Sequence, residues 1–218
     1  MIRQVLVAAA FLTASPAMAQ DMAMDLTKTD LSTLKAGTYT LDPSHSSLIF
    51  EVNHIGISTF RASFDSFNAT IELDPADPST AQLTARVDVA SLDIPTPEPE
   101  GFRAMLLAPP WFDVAGHPEI TLTSAAIRLT GERAAEVEGA LTLNGTTAPV
   151  KLTVTALGGW EGNQYDPNAR IGFHAEGSFM RSALGFDVGL PPPGTTMGVS
   201  DEVRFSIDAE FTGPAWEG

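Results

Sequence analysis

Apolar and polar residues alternate with a period of two along most of this chain, from residue 38 almost to its end. That period marks strands with one face turned inward. Leu48, Phe50, Val52 and His54 share a face, with Ser47, Ile49, Glu51 and Asn53 on the other. Phe67, Ala69, Ile71 and Leu73 form a second row, and Leu83, Ala85, Val87 and Val89 a third, after the turn residues Asp74-Pro75-Ala76-Asp77-Pro78. Ile120 and Leu122, then Ile127 and Leu129, continue the pattern. Val137, Gly139, Leu141 and Leu143 run into Asn144-Gly145, a pair that favours a two-residue hairpin because both positions need positive φ. Val150, Leu152, Val154 and Ala156 lead away from that turn. Ile171, Phe173, Ala175, Gly177 and Phe179 make another row, and Val203, Phe205, Ile207, Ala209 and Phe211 the last.

Eight or nine antiparallel strands with one apolar face close either as a barrel or as a two-sheet sandwich. Small residues on the inward rows (Ala69, Ala85, Gly139, Ala175, Gly177, Ala209) favour the barrel, since a filled two-sheet core calls for bulk there. An eight-stranded barrel is wide enough to hold one small ligand. The expected fold is therefore all-β: an elongated antiparallel eight-stranded lipocalin-like barrel. The competing reading is a filled-core β-sandwich interaction module that recognises a protein or glycan on its surface.

Two segments break the alternation. Residues 94–99 are proline-rich, and residues 101–107 place Phe102, Met105 and Leu106 on one helical face before Pro109-Pro110 and Trp111-Phe112. This predicts a short helical flap with an aromatic turn at one barrel end. Residues 190–198, with Pro191-Pro192-Pro193-Gly194, predict a stiff connection near the mouth.

The N-terminus has a different pattern. Arg3 precedes eight uninterrupted apolar residues, 5–12, and Ser15-Pro16 leads to Ala17-Met18-Ala19. This is the layout of a cleavable secretory signal, cut after Ala19. Eight apolar residues are too few to span a bilayer, which takes about 20. Residues 20–37 read as a polar leader, with Asp30 placed to cap a helical turn at Leu31 and Leu34, and residues 38–213 as one β domain. A periplasmic location follows.

Charge and composition remove several functions. Of 218 residues the first 19 carry only Arg3, so cleavage leaves 199 residues and moves the formal charge from −15 to −16. Nucleic-acid binding calls for a basic face, and docking on anionic lipid calls for Lys/Arg clusters. Any contact with a membrane is expected to be transient, and oligomeric state is open. With no cysteine, there is no disulfide, lipid-anchored cysteine, thiol nucleophile or thiolate metal site.

The histidines offer no metal motif. His45 and His54 are nine apart, so an unbroken strand points them to opposite faces, while His117 sits in a turn and His174 on an outward row. A serine nucleophile needs a base and an oxyanion hole, and no G-x-S-x-G elbow is present. No catalysis, metal or cofactor is expected.

Several blocks resemble the YceI-like lipid/polyisoprenoid-binding family. They are Gly37-Thr38-Tyr39-Thr40-Leu41-Asp42-Pro43-Ser44-His45-Ser46 with Phe50-Glu51-Val52-Asn53-His54, then Phe112-Asp113 with His117-Pro118-Glu119-Ile120, and the Gly139-Ala140-Leu141-Thr142 hairpin through Pro149-Val150. Arg181-Ser182-Ala183-Leu184-Gly185 and Val199-Ser200-Asp201-Glu202-Val203 complete the similarity, which runs over residues 37–211. The resemblance implies an exported barrel with a helical flap and an apolar tunnel for an isoprenoid or isoprenoid quinone, and a tie to stress responses. The segment 95–108 is richer in proline and arginine than that pattern.

The implied ligand wall is Phe50, Val52, Phe67, Ile71, Val87, Leu141, Val154, Phe173, Phe179, Phe205 and Ile207, with Phe102, Leu106, Trp111 and Phe112 in the flap. His54, Asn53 and Arg181 are the candidates for a head-group contact. Burial of a CH₂ is worth about 0.8 kcal/mol, so roughly 40 carbons would nominally exceed the practical ceiling near 20 kcal/mol. The competing solvent for such a chain is the bilayer, which suits a carrier and not an irreversible trap. If the N-terminal reading is right, intact mass of the exported protein corresponds to a chain starting at Gln20; a mass that retains residues 1–19 contradicts it.

Overall fold

A computed structural model describes residues 31–95 and 97–217. The expected secretory signal, most of the expected leader and Asp30 lie outside these residues. Among them the chain forms ten strands: β1 (Gly37–His54), β2 (Ser58–Phe64), β3 (Phe67–Leu73), β4 (Gln82–Asp88), β5 (Leu92–Asp93), β6 (Glu119–Leu129), β7 (Ala134–Leu143), β8 (Thr146–Trp160), β9 (Asn168–Met180) and β10 (Val199–Ala215). A single α-helix among the described residues, α1 (Phe102–Leu107), lies between β5 and β6.

All pairings are antiparallel, and β10 returns to pair with β1, closing the ring. Ten segments make an eight-stranded barrel because two staves are broken. β1 is 18 residues long and carries both β2 and β3 along one edge: Gly37 to Thr40 pair with β3, and Ile49 to His54 with β2. β2 and β3 are thus one bent stave interrupted at Asp65-Ser66. β4 and β5 are likewise one stave broken by a 3₁₀ turn at Val89–Ser91. The barrel expectation therefore replaces the sandwich.

The hairpin at Asn144-Gly145 has the positive φ values that its sequence calls for, 49° and 74°. Its turn anchors the flap: Asn144 Nδ2 donates to the Trp111 carbonyl at 2.7 Å. Other ties hold α1 and the chain after it. Arg103 Nε donates to the Leu92 carbonyl (2.7 Å), and the Phe112 and Val114 amides bond Leu106 and Leu107 (both 2.9 Å).

One end of the interior is solid. Leu34, Tyr39, Leu41, Leu73, Ile171 and Phe211 pack there with Phe67, Ile71, Leu83 and Phe173 around them. Tyr39 is fully buried, and its hydroxyl donates to the Lys35 carbonyl at 2.8 Å. Burial pushes its pKa up to about 12. Gly213 lies against the Tyr39 ring so closely that any side chain there would overlap it. Leu34 from the leader is part of this plug.

The Asp42-Pro43-Ser44-His45-Ser46 block has a structural role. The register of β1 against β10 jumps between Asp42 and Ser47, forming a bulge that bends the long strand. Asp42 organises the bulge: the Ser44 amide donates to Oδ1 (2.9 Å), His45 Nδ1 lies 3.0 Å from Oδ2, and Arg170 Nη1 on β9 donates to Oδ2 (2.9 Å). The same Nη1 reaches Glu210 Oε1 at 2.8 Å on β10. Arg170 thus staples β1, β9 and β10 across the seam that closes the barrel.

These contacts hold the Asp42 carboxyl at about 2 instead of 3.8, first through the His45 hydrogen bond, then the Ser44 amide and Arg170. A carboxyl whose folded pKa is depressed stabilises the fold above its unfolded pKa, and that contribution is lost as pH falls through the folded value. Asp42→Asn should therefore melt at a lower temperature than the parent protein at neutral pH. The difference should shrink between about pH 4 and pH 2 in thermal denaturation; a gap constant over that window contradicts the assignment.

Candidate functional site

The other part of the barrel is hollow. A cavity of about 820 Å³ runs under the flap, and its wall is almost wholly apolar. Leu48, Phe50 and Val52 from β1, Ala85 and Val87 from β4, Ile120 and Leu122 from β6, Leu141 and Leu143 from β7, and Val150 from β8 line it. Phe179 from β9 and Val203, Phe205 and Ile207 from β10 complete the ring. This volume is within the range of about 300–1,000 Å³ that ligand pockets occupy.

Glycines on the inward rows keep the wall thin. A Cβ at Gly177 would lie 2.5 Å from Phe205 Cζ, and one at Gly139 would lie 3.0 Å from Leu122 Cδ1. The large side chain on the neighbouring strand therefore lies against each glycine backbone. Small residues do pack opposite large ones here, and the space that remains is the lumen.

Aromatic rings form the lid. Phe112 packs against Phe64 (5.8 Å between centroids), Phe186 (5.3 Å) and Phe50 (6.5 Å), and Trp111 meets Phe186 at 5.9 Å. Phe102 of α1 meets Phe60 edge-on at 6.1 Å. Leu106 is buried beneath them, whereas Met105 points outward. The solvent-facing members of the lining are His54, Ser58, Thr59, Arg61, Pro95, Pro97, Glu98 and Pro99, which mark the mouth between the β1–β2 turn and the proline-rich loop.

Twelve of the residues expected at a ligand wall or flap meet at this cavity: Phe50, Val52, His54, Val87, Phe102, Leu106, Trp111, Phe112, Leu141, Phe179, Phe205 and Ile207. Four do not. Ile71 and Phe173 belong to the solid end, where Phe173 packs edge-on against Phe211 at 5.9 Å, and Phe67 packs between that end and the cluster under the flap. Val154 packs with Val137, Val150 and Leu152. Period two tells which face of a strand is inward but not how far along the barrel axis a residue falls, so these four shared the signal without sharing the space. Missed lining residues divide in two. Leu48, Ala85, Ile120, Leu122, Val150 and Val203 lay on the same inward rows, while Phe60, Phe64 and Phe186 fall in segments without a clear period.

Of the three head-group candidates, His54 and Arg181 line the cavity and Asn53 does not. The Asn53 side chain accepts from the Gly56 amide (2.7 Å) and shapes the β1–β2 turn. Arg181 is 1% exposed and its guanidinium is taken up by the chain that follows it. Nε donates to the Ser200 carbonyl (2.8 Å), Nη1 to those of Phe186 (2.8 Å) and Val188 (2.6 Å), and Nη2 to that of Val199 (2.8 Å). The group also lies 5.7 Å from the Phe186 ring centroid. Burial pulls its pKa below the ordinary arginine value. Arg181 is a clamp on residues 186–200, which carry one side of the lid.

Asp42, His45 and Glu210 are the one group among the described residues whose ligand atoms converge as a metal site would, all within 4.8 Å. Arg170 already bonds both carboxylates there, so the cation of this cluster is a guanidinium. His174 stands on the outer face between Asp208 (2.7 Å) and Glu176 (3.3 Å), which raise its pKa, Asp208 first.

The YceI-like domain model matches residues 39–211. The chain belongs to the YceI family. A UPF0312 protein of Pectobacterium carotovorum is 30% identical over 166 residues, 76% of this chain and 80% of the relative. Protein YceI of Salmonella arizonae is 28% identical over 177 residues, covering 80% and 86%. Among solved structures, Burkholderia cenocepacia BcnA superposes with a TM-score of 0.63 at 25% identity, over 78% of this chain and 98% of that one. A polyisoprenoid binding domain from Saccharophagus degradans shares the fold at 13% identity, with a TM-score of 0.58 over 83% and 100%. The YceI barrel is thus the frame in which this cavity sits.

Arg181→Met removes the donor from one buried carbonyl, Phe186, and three half-buried ones, at about 1–3 kcal/mol for the buried group and less for each of the others. The loss in urea denaturation should exceed about 2 kcal/mol on that basis. A loss below about 1 kcal/mol would show that water replaces the guanidinium and that the clamp is dispensable.

Proposed function

We propose that this YceI-family barrel holds a long apolar lipid of the isoprenoid class and serves as an exported, non-catalytic carrier. The observation that carries the reading is the apolar cavity of about 820 Å³ under an aromatic lid. Water in such a space lacks hydrogen-bond partners, whereas hydrocarbon gains about 25 cal/mol for each Å² of apolar surface removed from water. The polyisoprenoid binding domain of Saccharophagus degradans has the same fold, which lends the isoprenoid class support.

The titratable side chains on the lining fit a binder better than an enzyme. Arg61 is paired with Glu51 at 2.6 Å, Arg181 is held by carbonyls, and His54 and Glu98 stand at the solvent-facing mouth. The lumen itself presents hydrocarbon. Because the far end of the barrel is solid, the cavity takes one segment of a very long chain, and any remainder leaves through the mouth. Export rests on residues 1–19 and is part of the proposal.

Protein purified without detergent should release a prenyl lipid near one mole per mole into organic solvent, read by mass spectrometry. Leu141→Trp and Ile207→Trp, which fill the lumen, should lose most of it, while Phe173→Leu at the solid end should retain it. Absence of stoichiometric lipid, or equal retention by the two tryptophan variants, would overturn the carrier reading.

A further inference from the structure

Two loops at the cavity mouth carry a surface that the ligand cavity does not explain. The β1–β2 turn and the loop before β10 are joined: the Ile55 amide donates to the Gly198 carbonyl at 2.8 Å, and Thr196 Oγ1 donates to the Ile55 carbonyl at 3.4 Å. Gly56 lies so close to Thr196 that a Cβ there would approach its Oγ1 to 2.8 Å. Each loop raises one large apolar side chain into solvent, Ile57 at 81% exposure and Met197 at 69%. Neither is needed for packing at that exposure.

Charge is absent from the same place. Residues 52–60 and 188–200 contain no Asp, Glu, Lys or Arg, although 18% of the chain is charged and about four would be expected in these 22 positions. The loops at the opposite end are not cleared in this way: Glu132 and Arg133, Glu161 and Asp166, and Asp74 and Asp77 lie in them. The flanking residues His54 and Ser58 on one loop, and Val199 on the other, line the cavity. These two loops therefore give one side of the opening an apolar, uncharged rim, while the exposed charges at the mouth, Arg61 and Glu98, lie outside them on β2 and the proline-rich loop.

We propose that this rim docks on the uncharged interfacial layer of a lipid bilayer, Ile57 and Met197 entering it, so that the mouth opens onto the membrane. The proposal rests on the carrier reading for its purpose, but the docking itself does not require an occupied cavity. Apolar side chains partition into the interface, and a charge at either tip opposes this. A chain of formal charge −15 gains nothing from anionic lipid. The docking should be stronger on neutral than on anionic vesicles.

Flotation with phosphatidylcholine vesicles tests it, using the purified protein, the double variant Ile57→Asp/Met197→Asp, and Tyr165→Asp as a control. Tyr165 is 89% exposed in the β8–β9 loop at the opposite end. Circular dichroism melts establish that all three are folded. The parent and the control should float, and the double variant should partition at least about tenfold less, since each buried apolar side chain contributes on the order of tenfold. Adding phosphatidylglycerol should weaken flotation of the parent.

Equal partitioning of parent and double variant overturns the docking, as does flotation that rises with anionic lipid. So does a vesicle-free dimer that the two substitutions abolish, which would assign the rim to a second copy of the chain. Uptake of dansylated farnesol diluted from ethanol separates the two proposals. If the double variant binds this probe like the parent yet acquires it from vesicles at least about tenfold more slowly, the rim acts in transfer. If the parent never binds it while still floating, the carrier reading fails and the docking stands.

Discussion

Everything in this molecule follows from how an eight-stranded ring is filled. At that strand number the interior is just wide enough to be packed by side chains or to hold a small ligand, and the side chains decide which. Here both outcomes occur along one axis. Tyr39, Leu41, Phe173 and Phe211 reach across the ring at one end and leave no space. Toward the other end, Gly177 and Gly139 let Phe205 and Leu122 lie back against the wall, and a lumen remains. The solid end supplies the cohesion that a hollow barrel lacks, in a chain with no cysteine to staple it.

Polar groups that look like chemistry turn out to hold this arrangement in place. The Asp42-Ser44-His45 bulge and Arg170 bend and fasten β1 where it closes on β9 and β10. Arg181 gathers four carbonyls of the segment that bears Phe186. Both arginines secure backbone that has left regular pairing, where unsatisfied carbonyls or carboxylates would otherwise be costly. The lid depends on the second clamp, since Phe112 packs on Phe186.

The strands, the Asn144-Gly145 hairpin and the short helix were legible in the sequence because each has a local signature. Barrel closure was legible more indirectly, through small residues on inward rows. The bulge at residues 43–46 and the breaks at Asp65-Ser66 and Val89–Ser91 were not, because they are set by the curvature of the finished ring. For the same reason the inward rows carry face but not depth: Ile71 and Phe173 have the pattern of Phe50 and Phe205 and occupy the other end. Arg181 carried no warning of its role, since its partners are carbonyls 5 to 19 residues further on, contributed by main chain regardless of side-chain type.

A hollow half beside a solid half also fits the energetics of the proposed carrier. The cargo's alternative is a membrane that solvates it equally well, so shape and access govern exchange more than affinity does. The most direct measurement is a crystal structure at high resolution of protein purified without detergent or delipidation. Elongated density should run from beneath Phe102 and Trp111 to Ile207 and stop before Phe173 and Phe211. A lumen closed by inward rotation of Phe50, Phe179 and Phe205, with no room for a hydrocarbon tail, would contradict the hollow barrel and everything built on it.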